Sequence, residues 1–317
     1  MLAFACNVFL LIFLSTTRGL KTDAFSKHFN AELYNKFSED LQLAGFAKRT
    51  FDGYLREIRK LADHYQCSPE HISESQLRKY FLHLKNVKHY AEGTLRVSLS
   101  AFKFFFRVTC PRDWDTLHQL KVKGPKTLPE VITPEQVHQI IDACTSERMA
   151  VYFWTVYSMG LRLSEGLNLQ VGDIDAERGL VHIHRGKGAK DRYIPIPSST
   201  LQLLREHWLS HRHKRFLFPA DGRKHTGMST AKTPMAPTTP QDAMKIITTK
   251  LKFGKKVSVH TLRHSYATHL LEAGVSLKAI QKFLGHSSLQ TTIVYLHLTE
   301  IAEANAREII EQIFRRK

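Results

Sequence analysis

Apolar residues recur at helical spacing along most of this chain and alternate in strand fashion over one stretch near its middle. That pattern directs the chain toward helical bundles with at most a small sheet. Phe51, Tyr54, Leu55, Ile58, Leu61, Ala62 and Tyr65 follow the i, i+3, i+4, i+7 rule, with Thr50 as N-cap. Leu77, Tyr80, Phe81 and Leu84 repeat it, and Leu95, Leu99, Phe102 and Phe106 form a third stripe entered from Gly93-Thr94. An earlier helix is expected over 32–43. Four short amphipathic helices within residues 30–110 make a small α-bundle whose outward faces carry Lys48, Arg49, Arg56, Arg59, Lys60, Arg78, Lys79, Lys85, Lys88 and Arg96.

These charges are either a solvated face or a phosphate-facing surface. The whole chain carries 46 Lys+Arg against 29 Asp+Glu, a formal net charge of +17 over 317 residues. Such an excess favours a polyanionic partner, which means DNA, RNA or an acidic membrane. Apolar and charged fractions of 43% and 24% exclude a mainly disordered or collagen-like chain. Cys6, Cys67, Cys110 and Cys144 lie far apart with no metal-ligand spacing, and read as reduced thiols of a cytosolic protein. Neither a P-loop nor G-x-G-x-x-G occurs, so no nucleotide cofactor is expected. Residues 1–17 carry no charge, but they lack the basic start of a secretory signal and the length of a spanning helix. Residues 1–24 are read as a non-structural extension. The next methionine is Met149, so a start near Lys21 needs a non-Met codon.

Beyond residue 110 the character changes. Pro111, Pro125 and Pro129 flank Lys121, Lys123 and Lys126, and residues 116–130 read as an interdomain linker. Thr133-Pro134-Glu135-Gln136 opens a helix with N-cap, N1 proline and capping box. An apolar helix from Met149 to Met159 runs into Gly160 as C′ residue. Leu161-Arg162-Leu163 reads as a turn, and Ser164 as the cap of a helix from Glu165. Leu180–His184 and Arg192–Ile196 form a hairpin around Arg185-Gly186-Lys187-Gly188-Ala189-Lys190-Asp191, and the prolines of the returning strand suggest a sheet edge. Residues 221–240, rich in Thr, Pro and Gly, read as a mobile loop. Helices follow over 241–251, 262–273, 277–283 and 289–296, with a tail helix near 300–314. The basic run His211-Arg212-His213-Lys214-Arg215 either touches phosphate or ends its helix with favourable charges.

Arg162, Lys187, His260, Arg263, His286 and Tyr295 all sit at element ends, where function concentrates. Arginine forks grip non-bridging phosphate oxygens, tyrosine is a covalent nucleophile, and no carboxylate cluster for Mg²⁺ is evident. Together they suit a phosphodiester. His260 and His264 stand four apart and could face one metal ion, but no Glu follows His260 as in H-E-x-x-H and no third ligand is placed by spacing. No metal is therefore expected. Taken singly, an arginine after a helix is a surface residue and a tyrosine at helical spacing is core.

In context, the motifs resemble the tyrosine recombinases (phage integrase family), most of all integron-type and transposon-associated integrases. Gly160-Leu161-Arg162-Leu163-Ser164-Glu165-Gly166-Leu167 resembles the first arginine box. Gly186-Lys187-Gly188-x-Lys190-Asp191-Arg192 resembles the hairpin lysine motif. His260-Thr261-Leu262-Arg263-His264-Ser265-Tyr266-Ala267-Thr268-His269 resembles the second box. Leu284-Gly285-His286-Ser287-Ser288 with Thr291-Thr292-x-x-Tyr295-x-His297 resembles the third. The order is the family's, over residues 160–297. The resemblance implies a mainly α fold with a small antiparallel β-sheet in the C-terminal domain: a helical core-binding domain over 25–115 and a tyrosine recombinase catalytic domain over 131–317.

It also implies roles. Tyr295 would attack the phosphate, clamped by Arg162 and Arg263. Lys187 would protonate the leaving 5′ oxygen, His260 would help deprotonate Tyr295, and His286 would bind a non-bridging oxygen. Glu165 would orient Arg162. His264, His269 and His297 are left to packing and hydrogen bonding. The partner implied is a double-stranded DNA recombination site, bound by a homotetramer in the cytoplasm at the nucleoid, with no cofactor and no membrane partner; accessory proteins are not specified. A type IB topoisomerase-like nicking-closing enzyme and a catalytically inactive DNA-binding protein are the alternatives. The apolar stripe of Ile301, Ile309, Ile310, Ile313 and Phe314 favours assembly if it docks on a neighbour, and otherwise packs on its own domain.

Overall fold

A computed structural model describes residues 27–122, 124, 128–184, 191–221 and 227–296. Two compact units divide the chain, Met1–Lys126 and Thr127–Lys317.

Among the described residues the regular elements of the first unit are helices: α1 (Ala31–Leu43), α2 (Lys48–Tyr65), α3 (Glu74–Asn86), α4 (Glu92–Phe104) and α5 (Asp115–Gln119). Their apolar stripes meet in a core that includes Phe37, Leu41, Ile58, Leu61, Leu77 and Phe102. Asn30 caps α1 by accepting from Leu33 N, and Ser73 and Gln76 form a capping box at α3. The cap position of helix α2 is Ala47 rather than the expected Thr50, which lies inside the helix and donates its N–H to the Ala47 carbonyl. α4 runs on into a π-turn, Phe105–Thr109, which places both Phe105 and Phe106 in the core. The stretch expected to begin the linker is instead helical as α5, because Leu117 is a core residue.

Arg56, Lys60 and Arg96, among the expected phosphate-facing charges, have a local carboxylate partner, which for Arg96 is Glu92 at 3.9 Å. Buried Glu57 accepts from Ser98 Oγ at 2.8 Å and from Lys60 Nζ at 3.0 Å, and lies 3.6 Å from Arg56. Burying a carboxylate requires such partners. Lys48, Arg49, Arg56 and Arg96 border one concavity of about 900 Å³.

The second unit builds helices around a three-stranded antiparallel sheet. Its elements are α6 (Pro134–Asp142), α7 (Glu147–Ser158), α8 (Leu163–Leu167), β1 (Ile174–Asp175), β2 (Leu180–Ile183), β3 (Arg192–Pro195), α9 (Ser198–His211), α10 (Thr238–Leu251), α11 (Val259–Glu272), α12 (Leu277–Leu284) and α13 (Gln290–Ile293). The strand order β1-β2-β3 makes β3 an edge strand, as its prolines suggest. β1 is too short to register as a period, and the sequence pattern missed it. The Thr133–Gln136 capping box forms at α6. Tyr152, Phe153, Val156, Leu161, Val181, Ile194 and Phe218 lie in the core.

Four local expectations change. Ser164 is not a cap: α8 starts at Leu163, and Glu165 at its third position accepts from the Arg162 N–H. Within the expected loop over 221–240, α10 already begins at Thr238, and Pro219 bridges to Pro234; residues 222–226 lie outside the described ones. In the run 211–215, His211 and His213 are buried. His213 Nδ1 accepts from the N–H groups of Arg215 and Phe216, so two of the five are structural. The last expected helix is described only as the short α13, and the tail helix, with His297 and the apolar stripe, lies outside the described residues. Cys67, Cys110 and Cys144 are free thiols. Among the described residues no helix is long and apolar enough to cross a membrane.

Candidate active site

Two glycines shape the site. Gly160 ends α7 with φ of +59°, and Gly285 follows α12 with φ of +62°. Each immediately precedes a site segment, and each turns its carbonyl toward an arginine. Gly160 O accepts from Arg263 Nη1 at 2.8 Å, and Gly285 O accepts from Arg162 Nη2 at 3.3 Å. A side chain is excluded at both positions. A Cβ on Gly160 would lie 2.3 Å from the Tyr266 ring, and one on Gly285 would lie 2.9 Å from Arg192 Cδ.

Arg263 projects from α11 and is 1% exposed. Besides Gly160 O it donates to Leu284 O at 2.6 Å and to Nε2 of His286 at 3.1 Å. Arg162 donates to Glu165 Oε1 at 2.6 Å. A third arginine completes the group. Arg192, on β3, donates to both oxygens of Glu165 at 2.9 and 2.7 Å and to Phe283 O at 2.7 Å. Glu165 also lies 3.7 Å from Arg263. Three guanidinium groups thus share Glu165. Burial alone would raise its pKa, but Arg192 and then Arg162 overcome that and hold it at about 2. Burial and the neighbouring Arg162 pull Arg263 down to about 9, which leaves it protonated at neutral pH. The cluster is therefore positive overall and suited to an anion.

Tyr295 follows α13 and is buried, its ring parallel to that of His286 at 6.4 Å. Its hydroxyl lies 2.9 Å from Nδ1 of His264. Burial raises the Tyr295 pKa, and Arg263 and Arg162 act against the rise. His264 is pulled down to about 4 by burial, by His260 and by Arg263. It is neutral and placed to accept a hydrogen bond from the Tyr295 hydroxyl. His286 falls to about 3 through burial and the Arg263 and Arg162 charges. Because its Nε2 faces an Arg263 donor, Nδ1 carries the hydrogen and donates to Thr292 Oγ1 at 2.9 Å.

Five of the six residues singled out in the sequence therefore come together: Arg162, His260, Arg263, His286 and Tyr295. Lys187 lies outside the described residues. The resemblance has His260 help deprotonate Tyr295; the hydroxyl of Tyr295 hydrogen-bonds to His264, and His260 packs edge-on against the His264 ring at 4.5 Å. The sequence reading left His264 to hydrogen bonding and passed over Arg192. The signal for Arg192 was an arginine at an inward-facing strand position, since β3 alternates buried and exposed from Arg192 onward.

The description Phage integrase family matches residues 130–301, and an N-terminal SAM-like domain of phage integrases matches residues 33–116. A putative integrase/recombinase of Sinorhizobium fredii is 34% identical over 273 residues, covering 84% of each chain. Tyrosine recombinase XerA of Pyrococcus furiosus is 32% identical over 291 residues, covering 90% of this chain and 95% of that one. Two solved structures share the fold. The integrase of transposon Tn1549 in complex with transposon right-end DNA has a TM-score of 0.65 at 18% identity, over 90% of this chain and 99% of that one. A lambda integrase dimer bound to a core site has 0.65 at 15%, over 84% and 94%. The chain belongs to the phage integrase family and is a site-specific tyrosine recombinase.

Proposed function

We propose that this recombinase cleaves and rejoins double-stranded DNA through a 3′-phosphotyrosyl intermediate on Tyr295, using neither ATP nor a catalytic metal. The observation that carries this reading is the Tyr295 hydroxyl, hydrogen-bonded to a neutral histidine within a cluster that holds Arg162, Arg263 and His286. Tyrosine has an ordinary pKa near ~10, so attack at neutral pH needs a base. His264 is the base the geometry favours, with His260 behind it. Arg162 and Arg263 neutralise the scissile phosphate and the charge that grows on it in the transition state. His286 donates to a non-bridging oxygen once Arg263 turns to the phosphate and the ring hydrogen moves to Nε2, Nδ1 then accepting from the Thr292 hydroxyl. The Tyr295 oxygen bonds to phosphorus, the 5′ oxygen leaves, and Lys187 supplies its proton. The new ester keeps the phosphodiester energy, so the reverse step needs no nucleotide. Exchange between two duplexes uses two sites with two active subunits each, hence a homotetramer on DNA. The basic concavity of the first unit is suited to the phosphate backbone.

The test is a selection that does not require the site to be known. Covalent capture from a random duplex library in EDTA isolates cleavable sites, and two such duplexes of different length are then mixed with the enzyme. Exchanged strands are expected. Relaxation of supercoils without exchange would instead point to a nicking-closing enzyme, and loss of capture in EDTA restored by Mg²⁺ would point to a metal nuclease.

A further inference from the structure

Outside the arginine cluster, the hairpin brings three metal-ligating side chains to one face. Along β2, Val181 and Ile183 are buried, so His182 and His184 point the other way. Along β3, Arg192 and Ile194 are buried, which puts Asp191 and Tyr193 on that same outer face. The register pairs His182 with Tyr193 and Ile183 with Arg192, so the next step sets His184 beside Asp191.

We infer that His182, His184 and Asp191 form a binding site for a divalent transition-metal ion of the Zn²⁺ class, separate from the arginine cluster. One ligand atom from each of the three lies within 4.8 Å of the others. His182 Nε2 and Asp191 Oδ2 are 3.2 Å apart. A tetrahedral ion with Zn–N and Zn–O bonds of about 2.0–2.2 Å wants its ligand atoms roughly 3.3–3.5 Å apart. That pair already stands near the required separation, and a ring atom of His184 lies within the same 4.8 Å group.

Both imidazoles are held in place. His182 stacks on Tyr193 at 4.7 Å and 14°. His184 Nε2 lies 2.6 Å from Oδ1 of Asp173, a buried carboxylate, which leaves the other ring nitrogen for the ion. A carboxylate behind a ligating histidine fixes the tautomer and strengthens the ligand. Two imidazoles and one carboxylate select Zn²⁺, Ni²⁺ or Co²⁺ over Mg²⁺ and Ca²⁺, which prefer all-oxygen sites. Three protein ligands leave the fourth position to water. The ligands bracket residues 185–190, so an ion here ties β2 to β3 at the root of the hairpin. It takes no part in the phosphotyrosyl chemistry, and the inference stands whether or not Lys187 is the general acid.

The test uses the full-length, untagged chain, stripped with chelator and dialysed. Zn²⁺ titrated against a chromophoric chelator is expected to show one tight equivalent, and Co²⁺ the visible absorption of a tetrahedral ion. His182→Gln and His184→Gln should each weaken binding at least ~10-fold, and Asp173→Asn by a smaller factor. His260→Gln, at the other histidine pair, should leave affinity unchanged. Uptake no tighter than that of free imidazole, or a His182→Gln/His184→Gln double variant that binds like wild type, overturns the inference. A measurement on wild type alone guards against misfolded variants. Substoichiometric Co²⁺ should shift the ring protons of His182 and His184 first, and a first response from any other histidine also overturns it.

Discussion

The Tyr295 hydroxyl and His264 Nδ1, from segments 31 residues apart, lie 2.9 Å from each other, and the histidine is neutral. That places a hydrogen-bond acceptor against a buried phenol whose own pKa is raised, while His260, one turn earlier on α11, packs against the His264 ring. His264→Gln should therefore slow single-turnover cleavage by about 10²–10⁴-fold, the range for a lost general base, with DNA binding retained. His260→Gln should act through His264 and cost less. Equal losses from the two variants would return the role to His260.

Three buried or half-buried histidines also set a pH trend. His264 and His207 are held at about 4 and His286 at about 3, chiefly by burial. As pH falls below the ordinary histidine value of ~6.5, the unfolded chain takes up protons that the folded chain refuses, so stability declines from there toward pH ~4. Glu165, held at about 2, adds a further loss below the usual carboxylate range. Thermal midpoints of the free protein should fall steadily from pH 7 to pH 5, and imidazole resonances of His264 and His286 should show neutral rings at pH 6. A rising midpoint, or titration of either ring near 6.5, would contradict these shifts.

Arg192 is the residue whose loss should look structural and catalytic at once. It closes both oxygens of Glu165, and Glu165 in turn holds Arg162. Arg192→Ala leaves a buried carboxylate short of its bidentate partner, at a cost of about 3–5 kcal/mol. Arg192→Lys restores the charge but not the fork, and should recover less than half of the lost stability and little of the cleavage. Full recovery by lysine would mean that Arg192 acts only as a charge.

Most of the helices were legible because their apolar stripes are long and capped, as at Leu77–Leu84 and Thr133–Gln136. What stayed hidden was set by tertiary contact. Leu117 turns an apparent linker into a helix because its side chain is needed in a core that a local window cannot see. Ser164 suits a helix cap, but α8 starts one residue earlier with Arg162 in the cap position, and Glu165 at the third position accepts from the Arg162 N–H. Motif order singled out the five residues that come together, Arg162, His260, Arg263, His286 and Tyr295, but not the pairing of His264 with Tyr295. That pairing depends on how the segment after α12 folds back on α11.

Lys187 carries a chemical prediction of its own. Lys187→Ala should bind DNA nearly as well as wild type, since one contact among many is a small part of a basic interface. Its cleavage rate should fall about 10²–10⁴-fold. Replacing the 5′-bridging oxygen with sulfur creates a leaving group that needs no proton, so that substrate should rescue Lys187→Ala but not Arg162→Ala. Rescue of neither variant would move the general acid to Lys190 or His260.

Tyr295→Phe removes one hydroxyl and leaves the ring stacked beside His286. With a nicked suicide duplex that traps cleavage, wild-type protein should give a covalent protein–DNA band, and peptide mass spectrometry should find the nucleotide on Tyr295 through a 3′-phosphate. The Phe variant should fold, bind the same duplex and give no band. A band of wild-type intensity from Tyr295→Phe, or a nucleotide mapped to any other residue, would contradict the assignment of Tyr295 as nucleophile.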